Sequence, residues 1–231
     1  MVPGSRSKWP ILIPVSSAAA GMFHTKKTTV HALRRLVSGA LLSIALLLMS
    51  AICFGQEVEQ LFWSETPLQA QDYTLMPDNI DTGKLGVFTY THVSYKYTFV
   101  RPGSILHMKM VVTAGFIKEK SWIKAHAMKD KNALAHEQLH FDLTELYARK
   151  LTKAFAEAKP TDNFKEAFDA VFQQVFNELK EQQQQYDLET DHGFRGKKQQ
   201  YWHNHVKNEL NAHAAWADKV LVYNVDRSQA S

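Results

Sequence analysis

Val93, Tyr95, Tyr97 and Phe99 alternate with Ser94, Lys96 and Thr98, the two-residue period of a half-buried strand. Arg101-Pro102-Gly103 then makes a turn. Beyond it, Leu106, Met108, Met110 and Val112 alternate with His107 and Lys109. The two runs predict an antiparallel hairpin, which needs further strands to be stable. A short strand is expected upstream near residues 61–63, among loops marked by Pro67, Pro77 and Gly83.

The period lengthens after residue 130. His136, His140, Leu143, Tyr147 and Leu151 fall on one side of a helix expected over about residues 132–157, and Pro160 stops it. Asn163 is a candidate cap for the next helix, with Glu166 three residues on. Phe164, Phe168, Val171, Phe172, Val175 and Leu179 form an apolar stripe at helical spacing, read as core. The polar tract 182–185 reads as the solvated end of that helix, and residues 186–196, with Asp187, Asp191, Gly193 and Gly196, as a loop. A last helix is expected over about residues 198–218, burying Trp202, Val206, Leu210 and Trp216. Strands first and helices afterwards, with no repeat and no linker, predict a single α+β domain over residues 56–231: a small N-terminal antiparallel sheet followed by a helical half.

Charge changes the picture of the first 55 residues. Six of the 27 basic residues lie there and none of the 23 acidic ones, which leaves 21 against 23 in the remainder. The formal charge of +4 therefore belongs to a leader, and no nucleic-acid partner is expected. Lys26, Lys27, Arg34 and Arg35 precede an uncharged, mostly apolar run at 36–54. Cys53 and Gly55 are small residues suited to a cut after Gly55. The expectation is an export signal, with Met22 as a candidate start and a periplasmic or extracellular destination. An uncleaved membrane anchor over residues 36–54 is the alternative. Cys53 is the sole cysteine, so a mature chain cleaved after Gly55 has no disulfide and no thiolate ligand. Any metal must then be held by His, Asp or Glu.

Candidate chemistry starts at His136-Glu137-Gln138-Leu139-His140. On a helix, positions four apart lie on one face, so both imidazoles can address one ion, with Glu137 beside them to move a proton. An H-E-x-x-H pentapeptide alone is a weak signal, expected by chance in about 3% of chains of this size and composition. A catalytic zinc site usually takes three protein ligands. Leu143 and Leu146 stand where a metzincin needs a glycine and a third ligand, so that geometry is excluded. Glu145 is turned away on the helix and is expected to pair with Arg149. Glu166 lies at the sequence distance of a thermolysin-like third ligand, although capping explains it equally well. His192, beside Gly193, is the preferred third ligand. His203 and His205 diverge around a helix and cannot both face one ion, and His126 and His213 have no supporting pattern.

The run 134–142, Leu-Ala-His-Glu-Gln-Leu-His-Phe-Asp, continuing through Glu145 and Tyr147-Ala148-Arg149-Lys150-Leu151, resembles the signature of a bacterial family of predicted secreted zinc-dependent proteases, known as a domain of unknown function and grouped with the zincins. Tyr186-Asp187, Thr190 and His192-Gly193, with Trp202 following, are similar to its second block, and Ser121-Trp122 also fits. The resemblance covers roughly residues 60–216. It departs at Leu139, where a small residue is expected. It implies a zincin-like fold and a Zn²⁺ site at His136, His140 and His192, with Glu137 as general base for the hydrolysis of peptide or protein substrates. Tyr186 is a candidate oxyanion partner or a buried structural tyrosine, and Asp142 is expected to anchor a neighbouring loop. The Tyr-rich hairpin is expected to cover the helices, with a peptide-binding sheet edge as the other option. A zinc-dependent amidase acting on cell-wall peptides, or a metal-stabilised binding protein that cleaves nothing, are the competing functions.

Overall fold

The computed structural model describes residues 59–158 and 164–226. The leader, its cleavage point, Pro160 and Asn163 lie outside the described residues. Residues 56–231 form one compact unit.

The predicted hairpin is present. Strand β4 (Thr91–Val100) pairs antiparallel with β5 (Ile105–Ile117), in a register that sets Val93 against Ala114 and Tyr95 against Val112. On β5 the alternation is carried through: Leu106, Met108, Met110, Val112, Ala114 and Phe116 are all buried. Each of these side chains larger than alanine contributes roughly 1.5–3 kcal/mol by leaving water, which makes β5 the spine of the core. On β4 the inward face fades toward the hairpin tip, and Phe99 is half exposed. Two further strands use the other edge of β5. Strand β1 (Gln60–Phe62) pairs with its end at Gly115–Ile117, and β7 (Val220–Asp226) pairs along Ile105–Val111. The C-terminal strand was not expected, and the sheet is therefore not purely N-terminal. A second, mixed sheet also goes beyond the expectation. In it β2 (Thr74–Met76) runs parallel to β6 (Trp122–Lys124), and β3 (Val87–Phe88) runs antiparallel on its other side.

Three long helices follow: α1 (Lys131–Ala158), α2 (Phe164–Thr190) and α3 (Gly196–Ala212). Asp130 starts α1 by accepting the amides of Asn132 and Ala133, at 2.9 and 3.1 Å. Helix α1 is enclosed: it touches β4 and β5, and also α2 and α3. Leu139, Leu143, Leu151 and Phe155 are buried on it, and so are the polar Thr144, Glu145 and Thr152. The larger residue at 139 thus fills core. The hairpin does cover the helices, with Tyr95 packing edge-on against Phe155 and Tyr97 edge-on against Phe164. Helix α2 runs through the polar tract at 182–185 and ends only at Thr190, so Tyr186 and Asp187 are helical rather than in a loop. The α+β class holds.

Buried polar groups tie the outlying strands to α1. Glu145 accepts from Arg149 Nε, as its spacing predicts, and from Lys219 Nζ at the foot of β7, both at 2.8 Å. Asp142 Oδ1 accepts from Trp63 Nε1 and from Gln138 Nε2, each at 2.8 Å, while Gln138 Oε1 receives the Leu68 amide at 2.7 Å. Asp142 therefore anchors the segment after β1, as expected. Burial raises its pKa, against the lowering effect of those two hydrogen bonds.

A group whose pKa is raised on folding contributes stability at low pH that is lost as pH rises through its folded pKa. Asp142→Asn keeps an acceptor for both donors and removes the buried charge. In thermal melts it should match the wild type in acid and be at least as stable at pH 7. Asp142→Ala strands both donors and should cost roughly 1–3 kcal/mol at either pH.

Candidate metal centre

His136 and His140 lie one turn apart on α1, and their Nε2 atoms approach to 3.2 Å. Asp187, in the last turn of α2, places Oδ1 at 3.1 Å from His136 Nε2 and 3.0 Å from His140 Nε2. His192 Nδ1 lies 3.4 Å from the same oxygen. The sequence singles out all three histidines, and the fold brings them together. Ligand atoms of His136, Asp187 and His192 lie within 4.8 Å of one another, close enough to share one metal ion.

His192 reaches the cluster because α2 ends abruptly. Asp191, His192 and Gly193 have φ of 51°, 54° and 87°, the left-handed backbone that unwinds a helix end. The His192 amide bonds back to the Asp187 carbonyl at 3.0 Å, and the Arg195 amide to Thr190 at 2.8 Å. Asp and His tolerate that region better than most residues. Gly193 needs it for a second reason: a Cβ there would stand 3.1 Å from His136 Cβ. The turn is pressed directly onto the histidine.

Tyr186 is fully buried, its ring stacked on His136 at 4.5 Å and set edge-on to His140 at 4.9 Å. Its hydroxyl donates to the His136 carbonyl at 3.2 Å and accepts from Gln199 Nε2 at 2.5 Å. Burial pushes its pKa far up. With its hydroxyl so engaged, Tyr186 is a structural support and not an oxyanion donor. The Asp187 carboxyl is held well below the usual range: burial works against its charge, but hydrogen bonds to His136 and His140 outweigh it. The His140 pKa is raised, the bond to Asp187 and the charges of Glu137 and Asp187 outweighing burial.

Two adjoining cavities of about 380 and 330 Å³ open over the cluster. Leu85, Val87, His136, Glu137 and His192 line both, so one cleft crosses the site with Glu137 at its middle.

The other sequence candidates lie elsewhere. Glu166 is exposed in the first turn of α2, some 30 Å along that helix from Asp187 at 1.5 Å per residue, and takes no part in the cluster. His126 meets Asp78 at 3.2 Å near the cleft mouth, and His213 Nδ1 meets the Glu209 carbonyl at 2.9 Å. His203 and His205 are exposed on α3. Sequence reasoning missed Asp187, Gln183 and Gln199. The signal for the first two was present: the stripe through Val175 and Leu179 continues at helical spacing to Gln183, Tyr186, Asp187 and Thr190. Gln183 hid it, because the neighbour it faces is an imidazole rather than a leucine.

A family model described as a bacterial protein of unknown function (DUF922) matches residues 119–193. That window is narrower than the resemblance read from the sequence, yet it contains His136, Glu137, His140, Gln183, Asp187 and His192. No curated protein and no solved structure matches the chain.

Gly193→Ala should lower stability by roughly 1–3 kcal/mol, since strained backbone and a crowded His136 add together. Thermal unfolding measures the loss. A variant as stable as wild type would show that the turn yields without cost.

Proposed function

We propose that the chain is an exported zinc-dependent peptidase in which His136, His140 and His192 hold the ion and Glu137 is the general base. The observation that carries this reading is that ring nitrogens of all three histidines lie within 3.4 Å of one Asp187 oxygen, beside a cleft that Glu137 also lines. The donor chemistry suits zinc, whose ordinary protein ligands are imidazole nitrogen and carboxylate oxygen when thiolates are absent. The 3.2 Å between the two Nε2 atoms is close to the roughly 3.4 Å that separates two ligands of a tetrahedral ion at 2.0–2.1 Å. Asp187 is an anionic donor within reach of the same point. Zinc held there would polarise a carbonyl and make water a strong nucleophile near neutral pH.

The chain's own residues supply the rest. Glu137 takes the proton of the attacking water and hands it to the leaving amine. The cleft has room on both sides of His136 and Glu137, as cleavage within a chain requires. Strand β3 pairs only with β6 among the described residues, and Val87 and Phe88 line the cleft. An extended peptide can add to that free edge. The hairpin offers less, because its aromatics are already packed on the helices. Export rests on the basic and apolar leader pattern. Among the described residues no helix is long and apolar enough to cross a membrane.

Metal analysis of the purified full chain, paired with turnover of a mixed peptide library, tests the reading. Wild type should carry zinc and cleave. Glu137→Gln should keep the zinc and lose about 10²–10⁴-fold in rate. His192→Ala should bind zinc more weakly. A wild-type protein without zinc sinks the proposal, and zinc retained with no cleavage of any peptide would favour the non-catalytic binding protein. The exported form should begin at Gln56.

A further inference from the structure

Each α1 histidine meets a glutamine at its other ring nitrogen. Gln199 Oε1, from α3, lies 3.2 Å from His136 Nδ1, and Gln183 Oε1, from α2, bonds to His140 Nδ1. An amide can offer its oxygen or its nitrogen to a ring, and a neutral ring can carry its proton on either side. The far end of each glutamine decides between these. Gln183 Nε2 donates to the backbone carbonyl of His140 at 3.0 Å and to Thr144 Oγ1 at 3.3 Å. A carbonyl oxygen only accepts, so Gln183 must turn its NH₂ that way and its oxygen toward the ring. Gln199 is fixed through one more link. Tyr186 spends its single proton on the His136 carbonyl, so its oxygen accepts from Gln199 Nε2, and the Gln199 oxygen faces the ring.

Both rings therefore donate through Nδ1. A neutral imidazole has one proton, and it is spent there. The two Nε2 atoms are left as lone pairs 3.2 Å apart, each within 3.1 Å of the Asp187 carboxylate. With both rings neutral, three acceptors so close repel one another, and either a metal cation among them or a second proton on a ring, donated to Asp187, relieves this. Each loop also closes on the backbone of the histidine it serves, so ring orientation is fixed together with the tautomer.

We propose that Gln183 and Gln199 are positioning residues that hold His140 and His136 as Nδ1–H tautomers and so build the lone pairs for a divalent cation before it arrives. The inference rests on the metal reading of this site and not on the bond that is cleaved. Neither glutamine touches the reacting atoms.

The test uses the full chain labelled with ¹⁵N-histidine, stripped of metal and held above the imidazole pH range. Long-range ¹H–¹⁵N correlation spectra report the tautomer of each ring directly. His136 and His140 should both appear as Nδ1–H. Gln183→Leu should release His140 alone, and Gln199→Leu should release His136 alone. Each should weaken zinc about 10–100-fold in a chelator competition. Gln183→Glu, which keeps an oxygen for the ring but loses the bond to the His140 carbonyl, should keep the His140 tautomer. An Nε2–H pattern at either ring in the wild type overturns the proposal, as does a folded leucine variant with unchanged zinc affinity. If a leucine variant fails to fold, the wild-type and Gln183→Glu spectra still decide. If the wild type binds no zinc the metal reading fails, while the spectra still report whether the glutamines set the tautomers.

Discussion

The enclosure of α1 is the constraint from which the rest of the structure follows. A helix packed against strands and against two other helices has little face left for water, so the polar groups it buries look to the protein for partners, and of Glu145 only Oε1 finds them while the buried Oε2 has none. Asp142 finds Trp63, Glu145 finds Arg149 and Lys219, and Thr144 finds Thr91 and its own helix carbonyl. Trp63, Thr91 and Lys219 come from three different stretches of chain outside α1. The polar positions of one helix thus specify where β1, β4 and β7 must lie, beyond what non-directional apolar packing can fix.

The cleft end of α1 obeys the same rule with different chemistry. His136 and His140 sit in the interior with each Nδ1 paired to a glutamine and each Nε2 beside Asp187, all presented by α2 and α3. Tyr186 fills the space between the rings and their backbone, and the left-handed turn at 191–193 swings His192 in while pressing Gly193 on His136. Stability and chemistry are joined here, because the contacts that order α2 against α1 are those that aim the imidazoles. The match of residues 119–193 to one bacterial family model spans this arrangement from the strand before α1 to the turn after α2.

Much of this was legible along the chain. The hairpin and its inward faces follow from alternation in β4 and β5, and α1 from the spacing of His136, His140, Leu143, Tyr147 and Leu151. The pairing of Glu145 with Arg149 follows from a four-residue step. Three readings failed for physical reasons. The end of α2 looked like solvent because its inward face changes from apolar to polar where it meets the histidines. Strand β7 carries a β-rich run, Val220-Leu221-Val222-Tyr223-Asn224-Val225, but Val220 and Val222 on its outward face are also apolar and its partner lies more than a hundred residues earlier, so no apolar–polar alternation set its faces. The second sheet is made of strands of two or three residues, too short to show a period.

By itself the sequence determined the α+β order of elements, the two histidines on one helix face, and Glu137 between them, because periods of two and 3.6 residues are local properties of the backbone. It also left His192 as the preferred third group through its neighbour Gly193. Tertiary structure alone decided that Asp187 stands among the three imidazoles, that Glu166 lies far from them, and which tautomer each ring adopts. Those outcomes depend on how α2 and α3 lie against α1, and on a hydrogen-bond loop whose direction is set by backbone carbonyls. No spacing along the chain encodes which groups the packing of separate helices will bring within 3 Å.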